Sequence, residues 1–257
     1  IDGYNGSTAG LAGGFDGMIG EQTRLGLSFS YADTEIDGDG IQNDKTLIDN
    51  YQFTLYGDYT TDNFYLEGMF SYGLSTIDTS REITFGGLNL LATGNYDANQ
   101  YSWRFGGGLP IARGRITFTP NANFQFTSVS SDAFTETGAG VLNLEVAPED
   151  LSMAVATIGV NWQSSFQTKG GTWTPQIRTS VSYDFAGDEA DSVSRFTGQN
   201  TTFTTKGGEV EELGGAIGGG LTLSSANGGW DVTMDYDADL KNDFIAQTGR
   251  FQAKFNF

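Results

Sequence analysis

Glu35, Asp37 and Asp39 in "EIDGDGIQND" stand at the first, third and fifth places of a calcium-binding loop, with Gly40 at the sixth. The bidentate glutamate that completes such a loop belongs at the twelfth place, and Thr46 stands there instead. The stretch therefore reads as a solvated loop, with a weak divalent cation as the alternative. "GGAIGGGL" offers glycines of the kind that cradle a phosphate, but no Lys-Ser or Lys-Thr follows and no helical pattern opens. Gly214, Gly218 and Gly220 are better explained as residues that relieve crowding or ease curvature in a strand.

Asp231, Asp235, Asp237 and Asp239 recur at every second position, and Glu67, Arg104, Arg178 and Lys254 occupy equivalent polar positions elsewhere. Such charges could line a path, grip a polar helix or balance one another in a wet interior. A paired-carboxylate glycosidase needs a cleft with its two acids at a set separation, and nothing in the chain supplies one. The 257 residues include no His and no Cys. Ser-His-Asp hydrolysis, imidazole acid–base work, thiolate nucleophiles and zinc–thiolate sites are thereby excluded within the chain. No catalytic residue, metal site or cofactor is assigned.

The elements that carry these charges alternate apolar and polar residues at a period of two, which is the mark of a strand with two unlike faces. Leu47, Asp49, Tyr51, Phe53, Leu55, Gly57 and Tyr59 share one face, and Ile48, Asn50, Gln52, Thr54, Tyr56 and Asp58 share the other. After "TTDN", Phe64, Leu66, Phe70, Tyr72 and Leu74 stand against Tyr65, Glu67, Met69 and Ser71. Near the end, Trp230, Val232, Met234 and Tyr236 stand against the aspartates. Eleven such segments are expected, near 7–19, 23–34, 47–60, 63–78, 96–109, 114–128, 150–166, 171–185, 206–224, 228–240 and 245–257. Pro120 and Pro175 fall inside two of them, and each marks either a bulge or a strand end.

Short connections near 20–22, 60–63, 110–113, 167–170 and 225–227 alternate with long ones near 35–46, 79–95, 129–149 and 186–205. That asymmetry, with segments near the about 9–11 residues a spanning strand needs, favours an all-β, transmembrane, antiparallel up-and-down β-barrel over a soluble sandwich. The polar faces would then line a hydrated lumen, and the aromatic faces would meet lipid. No apolar run approaches the roughly 18 residues of a membrane helix. The formal charge of −19 speaks against nucleic acid as a partner. Residues 1–257 are expected to form one domain. Single-chain bacterial barrels have an even number of strands. Twelve strands are therefore expected, with one more strand and any export signal upstream of Ile1, and with the C-terminus on the periplasmic side.

Three pieces, "GYNGSTAGLAGGFDGMIGEQTRLGLSFSYADTEIDGDG", "NYQFTLYGDYTTDNFYLEGMFSYG" and "WDVTMDYDADLKNDFIAQTGRFQAKFNF", together make the chain resemble the translocator β-domain of bacterial autotransporters, the type V secretion barrels. The family often carries His before the Gly of the last strand; here Gln247 and Thr248 precede Gly249. The resemblance implies an outer-membrane domain that anchors and exports a covalently linked N-terminal passenger. It also implies lipid, lipopolysaccharide and the barrel assembly machinery as partners. Phe255 and Phe257 would carry the C-terminal assembly signal. A stand-alone twelve-stranded channel is the alternative. An outer-membrane lipase built on Ser-His and a soluble all-β binding protein are weaker rivals.

Overall fold

The structure, a computed structural model, describes residues 4–38, 44–208, 211–242 and 244–255. Eleven long strands carry the fold: β1 (Tyr4–Ile19), β2 (Thr23–Gly38), β3 (Lys45–Thr60), β4 (Tyr65–Phe85), β5 (Leu88–Gly108), β6 (Ile116–Ser131), β7 (Leu151–Ser164), β8 (Gly171–Asp184), β9 (Leu213–Ser225), β10 (Trp230–Lys241) and β11 (Phe244–Phe255). Each pairs antiparallel with its neighbours in sequence, so the sheet is an unbroken meander from β1 to β11, curled as a barrel wall. Among the described residues β1 pairs only with β2, and β11 only with β10.

The two faces are as different as the alternation requires. Leu25, Leu27, Tyr51, Phe53, Leu55, Trp103, Phe105, Ile177, Met234 and Phe251 are all exposed on one face. Side chains on the other bond across strands, as Thr54 does with Ser71 (2.9 Å) and Ser102 with Thr127 (3.0 Å). No apolar side chain larger than isoleucine is buried among the described residues, so the sheet does not close over an oily core. A wall with greasy outside and wet inside suits lipid.

Both strand prolines keep their register. Asn121 lies opposite Gly108 and Phe118 opposite Ile111, so Pro120 faces Leu109 with no residue inserted. Leu109 N–H still donates to the Pro120 carbonyl at 3.0 Å; only the reciprocal bond, which proline has no N–H to make, is lost. Pro175 sits likewise between Gln176, opposite Gln163, and Trp173, opposite Phe166. Each proline interrupts a ladder near a short turn, and neither is a bulge or a strand end.

Three of the long connections are more ordered than the alternation predicts. The span 79–95 is a continuation of β4 and β5, closed by Gly86 and Gly87 at φ +56° and +85°. Only glycine takes both conformations without strain, which is what a two-residue hairpin turn demands. The other two long connections form a second sheet of four short strands, Phe134–Thr135, Leu144–Pro148, Ser192–Phe196 and Thr202–Thr205. Their pairing shows what they are. Phe134 opposite Val146 continues the register that puts Val129 opposite Leu151. Ser192 opposite Pro148 and opposite Thr205 departs by one residue from the registers of β7–β8 and β8–β9. The second sheet is thus the prolongation of β6–β9 on the loop side, after an interruption pinned by the buried Asp184. Its Oδ1 accepts from the N–H groups of Ala154 (2.9 Å), Ala186 (3.1 Å) and Gly187 (3.4 Å).

The prolonged wall is tied to the β4–β5 hairpin. Arg81 donates from Nε (3.0 Å) and Nη2 (2.5 Å) to the Glu136 carboxylate, and from Nη2 to the Leu142 carbonyl (3.1 Å). That pairing holds the Arg81 guanidinium above its ordinary range, against the opposing effect of its partial burial. Ala92 lies opposite Arg81 and is 1% exposed, packed with Ile83 and Ala139. Phe134 stacks on Tyr96 at 4.5 Å and 4°, over Gly94, where a Cβ would come within 2.4 Å of its ring.

Candidate functional site: the polar face of the wall

Strictly paired strands place residues in rows across the sheet, and two rows carry a charge cluster. In one, Arg178 on β8, Gly218 on β9 and Asp237 on β10 are neighbours in register. In the next, Gln176, Gly220 and Asp235 are neighbours. The middle strand contributes only hydrogen at Cα, so side chains from β8 reach over it. Arg178 bonds both Asp237 oxygens (2.9 and 3.0 Å) through Nη2 and Asp235 (2.9 Å) through Nη1, while Gln176 reaches Asp235 at 2.9 Å. A Cβ on Gly218 would lie 1.9 Å from Asp237 Oδ1, and one on Gly220 would lie 2.2 Å from Asp235 Oδ1. The glycines of "GGAIGGGL" are space for a salt bridge that spans three strands.

A second cluster spans β1–β5. Arg24 pairs with Asp58 at 2.8 Å, and the Tyr56 hydroxyl donates to Asp16 at 3.3 Å. Glu67 and Arg104 approach only to 3.8 Å, both nearly half-exposed, across Gly106. Arg104 Nε is buried without a partner. With Tyr56, Asp58 and Met69 this pair lines an open cavity of about 310 Å³. Arg178 is thus fully engaged, whereas Glu67 and Arg104 keep bonding capacity for a guest.

The remaining charges are placed less tightly. Asp231 faces Lys254 and Asp235 faces Arg250 in register, but no ion pair joins either couple among the described residues. Phe255 lies opposite Trp230, exposed on the apolar face; Phe257 lies outside the described residues. The stretch around Glu35 corrects the loop reading. Glu35 and Asp37 belong to β2, Thr46 belongs to β3, and Glu35 is held by Lys45; Asp39 and Gly40 lie outside the described residues. Arg24 and Asp16 were missed as members of the polar face, although period two counted from Tyr56 places both on it.

An antiparallel meander with an apolar exterior and charged rows on its other face is a membrane β-barrel wall of the outer-membrane type. The model of the family described as "Autotransporter beta-domain" matches residues 1–237, and the chain belongs to that family. It is an outer-membrane translocator domain. It is 24% identical over 266 residues to outer membrane protein A of Rickettsia conorii, covering all of this chain and 13% of that relative's length. It is 29% identical over 166 residues to an extracellular serine protease of Serratia marcescens, covering 65% of this chain and 16% of that protein. The fold matches the translocator domain of the autotransporter NalP from Neisseria meningitidis with a TM-score of 0.73 at 18% identity, over 99% of this chain and 82% of that one. It also matches the transport unit of the autotransporter AIDA-I from Escherichia coli at 0.64 and 13%, over 99% and 83%.

Proposed function

We propose that residues 1–257 act as one non-catalytic unit that anchors and exports a covalently linked N-terminal passenger, through or alongside a lumen lined by the polar face. The observation that carries this reading is the family match over residues 1–237, on a wall whose polar face holds charge pairs. The glycine-spaced cluster at Arg178 stiffens one side of the lumen. The looser Glu67–Arg104 pair offers a polar chain exchangeable hydrogen bonds at low cost, which suits a path better than a tight site. The short turns face the periplasm, together with the C-terminus, and the prolonged wall stands outside the cell. Lipid and lipopolysaccharide cover the apolar face, and the assembly machinery captures the last strand, with Phe255 and Phe257 as its signal.

The test is protease shaving of intact cells that express the natural full-length protein, with mass spectrometry of the released peptides. Release of a folded region N-terminal to residue 1, with the barrel strands retained, is the expected result. Release of peptides from the 132–150 and 185–212 connections alone would leave a stand-alone channel.

A further inference from the structure

Acidic residues outnumber basic ones 32 to 13, yet there is no Asp or Glu between residues 98 and 131, nor between 151 and 183. These stretches are the turn-side part of β5, all of β6 and β7, β8 up to Tyr183, and the two turns that join these strands in pairs. The turns carry Arg113, Arg115 and Lys169, all exposed, and none of them belongs to an ion pair among the described residues. The two turns are neighbours, since Ser165 N–H donates to the Arg115 carbonyl at 3.1 Å. The other short turns differ: 20–22 carries Glu21, 61–64 carries Asp62, and 226–229 carries no charge.

The cations adjoin an apolar, aromatic border. Arg113 is opposite Ile116 and Ile111 is opposite Phe118, so Arg113 ends an outward column that holds Leu109 and Ile111. Phe166 lies opposite Trp173 beside it, and both are exposed. A guanidinium at the end of a lipid-facing column, next to aromatic rings, sits at headgroup depth. Arg113 at that depth, with Arg115 and Lys169 on the adjoining turns and no carboxylate on either turn, attracts lipid phosphate.

We propose that Arg113, Arg115 and Lys169 form a binding surface for anionic glycerophospholipid headgroups in the inner leaflet of the outer membrane. The surface orients the β5–β8 side of the barrel against that leaflet. The phospholipid source rests on the short turns being periplasmic, as proposed above; the preference for anionic phosphate does not.

The test uses the natural full-length protein with Trp103→Phe and Trp230→Phe, refolded into phosphatidylethanolamine vesicles that contain phosphatidylglycerol. Quenching of Trp162 and Trp173 is compared when either lipid is brominated at equal proportion. Each surface cation contributes about fivefold to anionic lipid affinity at low salt. The expected result is at least that preference for phosphatidylglycerol, falling with added salt. It drops to within about twofold of no preference in the R113Q/R115Q/K169Q variant, with R113Q alone intermediate. Equal quenching by both lipids, or a preference that survives the triple substitution in protein with normal heat-modifiable mobility, overturns the proposal. A membrane-impermeant maleimide applied to intact cells carrying Ala112→Cys separates the two readings. No labelling keeps the patch at the inner leaflet. Labelling places it outside, which overturns the orientation and the phospholipid source even where the phosphate preference holds.

Discussion

Gly218 and Gly220 show how much of a lumen is decided by residues with no side chain. Arg178 and Asp237 sit on strands that are not neighbours, and only an intervening Cα without a Cβ lets them meet. Gly13, on the apolar face of β1, has nothing within 4 Å of the same imaginary Cβ. Gly218→Ala is therefore expected to destabilise the barrel by about 2 kcal/mol, by displacing a charge-assisted bond of the Arg178 cluster. Gly13→Ala should change little. The measurement is the urea midpoint of the heat-modifiable gel shift for both variants. Equal midpoints would mean that the cluster moves aside without loss, and would remove the reason for glycine at 218.

At the scale of elements, the eleven wall strands were legible because lipid and water impose opposite demands on alternate residues. Their outer ends were not. The span 79–95 was expected as a loop, although "ITFGGLNL" places Gly-Gly between alternating residues, a hairpin signal that its polar flanks obscured. The prolongations of β6–β9 were illegible for a different reason. Strands of two to five residues show no period, and their register passes through a segment fixed by the Asp184 carboxylate rather than by any pattern. The charged faces could be read from parity alone, but which charges meet could not, since that depends on neighbours two strands away. The same scale carries a prediction about Glu136, which accepts from Arg81 and from the Leu144 N–H at 2.8 Å. Glu136→Gln weakens the guanidinium bonds while nearly keeping shape. It should raise the rate of protease cleavage within 132–150 on intact cells roughly fivefold, for a loss of about 1 kcal/mol. Unchanged cleavage alongside unchanged barrel stability would show that the stacking of Phe134 on Tyr96 suffices to hold this segment.

For the molecule as a whole, the wall and its prolongation are stabilised by different physics. Within the membrane a backbone bond resists opening, because hydrocarbon offers no substitute for a broken one. Beyond the membrane water competes for the same groups. The prolongation there opposes local opening with small contacts: the cluster of Ile83, Ala92 and Ala139, the Arg81–Glu136 and Arg195–Glu145 pairs, the Phe134–Tyr96 and Phe196–Phe203 ring contacts, and the Asp184 knot. Stability should therefore fall in a step along the same strands, at the interruption between β8 and Ser192 rather than gradually. Hydrogen exchange on the protein in lipid vesicles tests this. Amides of Ser192–Phe196 and of residues 144–147 are expected to exchange at least about a hundredfold faster than those of Thr157–Val160 on β7, a gap of about 2.7 kcal/mol in opening free energy. Comparable protection on both sides of Asp184 would show instead that wall and prolongation open as one unit. The outer rim would then be a rigid continuation of the barrel rather than a separately hinged collar, and export would have to proceed past a mouth of fixed height.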